Sequence, residues 1–359
     1  MSTPADVRNM LVDAATRVFA DHVDAKLLDA AKRNGWSADL WRVVTDVGLP
    51  LVGIAETNGG SGGSLSDQAA VLRIAGRYAA PIPLAETALA ASLLSEAGLA
   101  IPAGPLTVAP VRGETIAAGR DGGAWRLTGK LARVPFARAA NRIVVFTSTS
   151  EGTLIATIDP AHCKITAGSN LAFEARDAVV MDDVTADTAA LSAKVTPAAL
   201  RMRGALMRSL QIAGALEAAL ELSVHYAGER VQFGRKIAQF QSIQHELARF
   251  AGETAAAVGA AMSAAGVLER SDGLRGSDAH LAIASAKIRC ARAAQEGSMI
   301  AHQVHGAIGF TREHVLHRFT LRVLGWRDDF GNESYWANEL GKRAARRGAD
   351  EFWPWVASR

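Results

Sequence analysis

Two short stretches concentrate side chains that can hold a ligand. The first, ERVQFGRKIAQFQSIQHELA at 229–248, sets a guanidinium (Arg230), a carboxamide (Gln232) and two phenyl rings (Phe233, Phe240) beside Gly234, Ile237 and Ile243. A guanidinium presents a planar fork of donors that suits phosphate or carboxylate oxygens. The second, QVHGAIGFTREH at 303–314, contains Gln303, Gly306 and Ala307, whose small members let another group approach the backbone. Plainer readings stand beside these. Arg230 can be a surface cation paired with Glu229 or Glu246. Phe233 and Phe240 can be ordinary core. His245 and His305 read as packed or capping residues without chemistry. A third group, Asp328, Asp329 and Glu333, supplies carboxylates, the side chains that serve as general bases. The plain reading of Asp328 and Asp329 is a solvated loop pair.

Composition narrows the field. The chain has 359 residues, 49% of them hydrophobic and 21% charged, an ordinary globular balance with enough length for a large core. Net charge is +3 without a run of five like charges, which argues against a nucleic-acid surface. Cys163 and Cys290 lie far apart, so neither a disulfide framework nor a zinc site is expected. The N-terminus MSTPADVRNM carries Asp6 and Arg8 where a signal peptide needs apolar residues. No stretch approaches 18 uninterrupted apolar residues, so no membrane span is expected and the location reads as cytoplasmic.

The elements that must position these residues fall into three segments. Residues 1–104 read as helical: Leu11, Ala14, Ala15, Val18 and Phe19 recur at helical spacing, and Ser37 is a plausible N-cap for the helix carrying Leu40, Val43, Val44 and Val47. The glycine-rich TNGGSGGS at 57–64 breaks regular structure, and two more helices fit 65–79 and 84–97. Residues 105–194 read as a small antiparallel β domain, with strands expected at Leu106–Val111, Trp125–Leu127, Ile143–Thr147, Thr153–Ile158 and Ala178–Met181. Residues 195–359 are helical again. Leu206, Leu210, Ala213, Leu216, Leu220 and Val224 form one stripe; Ile243, Leu247, Phe250, Thr254 and Val258 form another, as do Leu281, Ala284, Ile288 and Ala291. Long alanine-rich helices suit a closely packed four-helix bundle.

This α, β, α order resembles the acyl-CoA dehydrogenase family, and the motifs agree in order and spacing. ETNGGSGGSLSDQAAVLRIAGRYAAPIPL resembles the family's PEEYGGSG loop and its following corner. WRLTGK at 125–130 resembles WxLxGxK, and VVMDDV at 179–184 resembles the FDDV strand. RVQFG and QVHGA complete the set. The resemblance implies an α+β fold, FAD held at a subunit interface, an acyl-CoA thioester as substrate and an electron-transfer flavoprotein as acceptor. It also implies roles. Arg230 and Gln232 would meet the pyrophosphate, and Phe233, Ile237, Phe240 and Ile243 would wall the adenosine. Gly234 belongs to the same motif, while Gln303, Gly306 and Ala307 would pass close to the dinucleotide.

The same resemblance exposes a gap. The family's catalytic glutamate, counted on from His305, falls at Phe330, and its alternative position falls at Gly204. Neither accepts a proton. Asp329 is the nearest substitute. The ring-side pattern is missing too: 108–125 lacks the family's EPxAGSD-type loop, and Arg133, Val134 and Pro135 stand where a Thr or Ser meets the flavin. Proline offers neither hydroxyl nor N–H. The leading expectation is therefore a non-catalytic subunit that covers the adenine-diphosphate end of FAD beside a catalytic, acyl-CoA dehydrogenase-like partner. The alternatives are a homomeric dehydrogenase using a displaced base such as Asp329, a flavin monooxygenase on the same fold, and a scaffold or acyl-CoA-binding protein.

Overall fold

The computed structural model describes residues 4–110, 116–193, 195–271 and 277–357. Val111, the end of the first expected strand, and the first three residues lie outside that set. The chain opens with helices α1 (Pro4–His22), α2 (Ala25–Asn34), α3 (Ala38–Asp46), α4 (Leu65–Arg77) and α5 (Leu84–Glu96). Ser37 does cap α3, its hydroxyl accepting from Leu40 N at 3.3 Å. Ser64 and Asp67 close a reciprocal capping box on α4, where the glycine-rich turn ends.

The middle of the chain holds strands β1 (Leu106–Val108), β2 (Ile116–Asp121), β3 (Ala124–Pro135), β4 (Arg142–Thr149), β5 (Gly152–Ile158), β6 (Lys164–Thr166), β7 (Arg176–Thr185) and β8 (Thr188–Ser192). They form two four-stranded sheets, ordered β1-β4-β5-β8 and β2-β3-β7-β6. Leu127, Leu131, Val145, Leu154, Val179 and Met181 share the core of this region. The expectation of a wholly antiparallel domain needs correction, because β1 pairs parallel with β4. The strands β2, β6 and β8 were not anticipated. Their residues are mostly exposed or half-buried, so the apolar alternation that signals a strand is faint.

The last segment contains α6 (Pro197–Glu229), the hairpin β9 (Val231–Gln232) and β10 (Arg235–Lys236), then α7 (Gln241–Arg270), α8 (Ser277–His305), α9 (Leu316–Arg327), α10 (Glu333–Arg347) and α11 (Ala349–Ala357). The apolar stripe of α6 is buried from Leu206 to Leu216 but runs out at Val224, which is exposed. By length and mean hydropathy, 1.2 over an 18-residue window, α7 is long and apolar enough to cross a bilayer, although its apolar residues form no uninterrupted run of that length. Its Phe250, Thr254, Ala257, Ala261 and Ala264 are buried, and it packs along α6 and α8.

Small residues set how closely these helices approach. At the crossing of α4 with α6, a Cβ on Gly214 would lie 1.8 Å from Arg73 O, and one on Gly76 would lie 2.2 Å from Gln211 O. The two backbones are in direct contact, so there is no flexible side chain to yield. Gly214→Ala is expected to lower unfolding stability by about 1–3 kcal/mol, measured by urea denaturation; a change within error would mean that the helices separate without cost.

Candidate functional site

Helix α6 ends at Glu229, and the chain turns back through the β9–β10 hairpin. Its two-residue loop, Phe233-Gly234, has φ of 53° and 78°. Both central residues are left-handed, as a tight hairpin turn requires. Gly234 therefore serves the turn, and it does not line the adjacent cleft. The other residues of both motifs do. Arg230, Gln232, Phe233, Ile237, Phe240 and Ile243 face Gln303, Gly306 and Ala307 across a cleft of about 440 Å³. Tyr226, Ser242, Val304 and His305 complete the lining, a contribution that the spacing of the motifs does not reveal.

The motif side chains in this cleft are exposed or half-buried. Arg230 is exposed, and the expected carboxylate partners are engaged elsewhere: Glu229 with His225 at 3.2 Å and Glu246 with Arg249 at 3.4 Å. The core reading of Phe233 is overturned, since it is 92% exposed and meets Phe240 edge-on at 6.2 Å. Phe240 is only half-buried, with the Arg235 guanidinium 4.1 Å above its ring. Gly306 has φ of +62° and open space around a notional Cβ, so backbone conformation rather than internal crowding explains a glycine there. His305 is buried, donates from Nδ1 to Ala301 O at 2.7 Å and stacks on Tyr226 at 4.6 Å. His245 is exposed.

At the far end of the same helix the situation reverses. Gly204 and Phe330 pack directly against each other, and a Cβ on Gly204 would lie 2.4 Å from the Phe330 ring. With Ala85, Glu86, Leu89, Val108, Pro135, Met207 and Arg208 they enclose only about 10 Å³. That is barely room for one water. Arg133, Val134 and Pro135 sit at the end of β3, where the pairing with β7 shifts register; Arg133 is exposed with φ of 56°. From Gly204 to Arg230 the chain advances roughly 39 Å along α6, at 1.5 Å per residue.

Behind Phe330 lies a buried charge cluster that motif reading missed. Asp329 accepts from Arg176 Nη2 at 3.0 Å and from Arg208 Nε at 3.1 Å. Arg208 also donates to Glu86 at 2.6 Å and to Gln211 at 2.6 Å. Glu174 accepts from Arg176 at 3.2 Å, from Trp326 Nε1 at 2.9 Å and from Asn170 at 2.9 Å. Lys287 is fully buried and donates to Trp326 O and Arg327 O, both at 2.9 Å, capping α9. The solvated-pair reading of Asp328 and Asp329 is thus corrected: Asp328 is exposed but Asp329 is buried. Burial works to raise the Asp329 carboxyl, but Arg176, Arg208 and Lys287 outweigh it and hold the group at about 2. Glu333 lies apart from this cluster and pairs with Arg327 at 3.1 Å. One sequence signal was available: Arg208 interrupts the apolar run of α6 at a position facing the core.

Comparison with known proteins now places the chain. A model of the acyl-CoA dehydrogenase C-terminal domain matches residues 199–344, and one of the N-terminal domain matches 6–100. The chain belongs to the acyl-CoA dehydrogenase family, whose members are oxidoreductases acting on the CH–CH bond of acyl-CoA. It is 31% identical over 326 residues to acyl-CoA dehydrogenase IpdE2 of Mycobacterium tuberculosis, covering 90% of this chain and 92% of that one. The steroid ACAD Tcur3481-Tcur3483, in a variant form, is similar in structure with a TM-score of 0.86 at 25% identity, covering 96% of this chain and 99% of the other. The ChsE4-ChsE5 complex from Mycobacterium tuberculosis shares the fold, with a TM-score of 0.86 at 21% identity and coverage of 97% and 99%.

The charge cluster generates a pH test. The folded-state pKa of Asp329 lies below its ordinary value of 3.8, so its contribution is complete above 3.8 and disappears as pH falls through about 2. Asp329→Asn is expected to cost about 3–5 kcal/mol near neutral pH, by removing the carboxylate that Arg176 and Arg208 share and leaving each with one remaining acidic partner, Glu174 and Glu86. It should also flatten the acid limb of the stability curve. Chemical denaturation across that pH range measures both; equal acid limbs in the two proteins would remove Asp329 from this role.

Proposed function

We propose that this chain is the non-catalytic subunit of a heteromeric, FAD-dependent acyl-CoA dehydrogenase. It covers the adenine-diphosphate end of the cofactor and leaves the reaction centre to a partner of the same fold. One observation carries the reading: the motif residues around Arg230 line an open cleft, while Gly204 and Phe330 pack against each other with about 10 Å³ between them, and the cavity on the other side of the Phe330 ring, lined by Arg201, Asp328, Asn332 and Tyr335, lies away from Gly204. The residues of the cleft suit a dinucleotide. The Arg230 fork matches pyrophosphate oxygens, the Gln232 and Gln303 amides can donate or accept, and Ile237, Phe240 and Ile243 offer apolar faces for an adenosine. Gly306 and Ala307 keep the backbone approachable. The residues at the other end suit a dehydrogenation centre poorly, since Phe330 and Gly204 accept no proton and Phe330 and Pro135 close the space beside Gly204. Because the two ends stand roughly 39 Å apart along one helix, a single dinucleotide cannot occupy both within one chain. The ring belonging to the bound adenine diphosphate then lies in a neighbour.

Held at its adenine-diphosphate end by Arg230, Gln232 and the apolar wall of Ile237, Phe240 and Ile243, FAD would supply the hydride acceptor for oxidation of an acyl-CoA thioester. This chain excludes water from one end of the cofactor and fixes its charge; the α-proton is taken by the partner. Two relatives in structure are described under paired names, ChsE4-ChsE5 and Tcur3481-Tcur3483, which agrees with a two-subunit assembly. A displaced base is disfavoured because Asp329, held at about 2 by two arginines, is far from the pKa that general-base work needs. A monooxygenase needs an open ring site as much as a dehydrogenase does.

The isolated chain is expected to purify without flavin colour, to bind ADP but not flavin mononucleotide, and to turn over no acyl-CoA. Loss of general-base assistance alone removes about 10²–10⁴-fold. Co-expression with a family member that carries the glutamate should yield a flavin-containing complex, with less than one flavin per chain. In that complex Arg230→Ala should lower the flavin content while leaving the circular dichroism melt unchanged. A full flavin spectrum with turnover from the isolated chain would overturn the proposal. Flavin content unaffected by Arg230→Ala would overturn the role of the cleft.

A further inference from the structure

A second cleft, of about 390 Å³, opens where α4, α5 and α6 meet the C-terminal end of α7. It shares no lining residue with the cleft around Arg230. Met207 alone of its lining also borders the closed centre, so the two are back to back across one side chain. The volume is in the range of small-molecule sites. Its floor is apolar: Leu65, Ala69, Leu206, Leu210 and Leu268.

The polar groups stand at the mouth and are not balanced. Glu96 and Glu269 line it with Arg203 as the one cation, so the mouth carries one net negative charge. Glu96 Oε2 accepts from Arg203 Nη2 at 2.7 Å, and Glu269 Oε2 accepts from both the amide and the hydroxyl of Ser66. Those contacts use one oxygen of each carboxylate. An ionised carboxylate is an acceptor only, with room for several donors. The mouth therefore attracts donors and repels anions. That disfavours acyl-CoA and free fatty acids, whose phosphates or carboxylates would face the glutamates.

We propose that this cleft is a second small-molecule site, for an amphiphile that is not an anion. Its apolar body lies on the leucine floor, and its hydrogen-bond-donating head, a hydroxyl or an ammonium group, donates to Glu96 and Glu269. The proposal is independent of the flavin cleft, since neither its residues nor its ligand chemistry are shared.

The test is isothermal titration of the full chain with 1-decanol, decylamine and decanoate, which have the same chain length and differ in head group. Decanol and decylamine are expected to bind, with decanoate weaker by about tenfold or more, as loss of a charge-assisted hydrogen bond implies. Ser92, half-buried on α5, lines the cleft, and Ser92→Phe should fill it and abolish binding of all three. Glu269→Gln, at an exposed position, should narrow the gap between decylamine and decanoate. Decanoate binding as tightly as decylamine overturns the proposal, as does decanol affinity unchanged in a folded Ser92→Phe protein. Should Ser92→Phe fail to fold, an unaltered decylamine preference in Glu269→Gln overturns it instead.

Discussion

The position of Asp329 between Arg176 and Arg208 is the constraint on which the closed end of the molecule depends. Each of these groups comes from a different part of the chain: Arg176 from β7, Arg208 from α6, and Asp329 from the loop after α9. Glu86 of α5 joins through Arg208, and Glu174 joins through Arg176. Taking so many charges out of water is costly, and apolar packing of equal volume would often be as stable. The cluster brings register. Helical and β segments can slide on an apolar surface, but not past a buried carboxylate that two guanidiniums must reach.

That register decides the fate of Phe330. With Asp329 anchored and Lys287 capping α9, the next residue has little freedom. Phe330 adopts φ of 57°, an uncommon conformation for a residue with a side chain, and its carbonyl accepts from Trp336 Nε1 at 3.1 Å. The ring is driven against Gly204, whose lack of a Cβ makes the contact possible. Glycine and phenylalanine at these two positions are thus complementary: the absence of one side chain makes room for the other.

The opposite end of α6 follows other physics. Arg230 lies beyond the last helical turn, and the hairpin after it presents Phe233 to solvent rather than to the core. An exposed guanidinium beside an exposed phenyl ring is poor economy for a chain that acts alone, but it suits a surface that becomes buried when a ligand and a neighbour arrive. The one helix therefore separates a filled site from an open one, and its length keeps them apart.

Much of this was legible in the residues themselves. Apolar spacing located α4 to α8, Ser37 announced its helix, and the two motifs named the residues that meet across the open cleft. These are local signals: side-chain periodicity, capping chemistry and turn residues act within a few positions. That Phe330 and Gly204 offer no proton acceptor was equally legible, since their side chains carry none wherever they lie. Three things were not legible. The parallel pairing of β1 with β4 joins segments whose own residues prefer neither direction. Asp329 read as solvated because an aspartate in a polar loop usually is, and only the arrival of Arg176 and Arg208 from distant segments makes its burial tolerable. The contact of Phe330 with Gly204 brings together residues far apart in the chain. Residue types and spacing determined the fold class, the candidate cleft and the fact that neither Phe330 nor Gly204 can take a proton. Tertiary structure alone decided that Phe330 packs against Gly204 and that Asp329 is buried, because steric complementarity and charge pairing between distant segments exist only once the chain has folded.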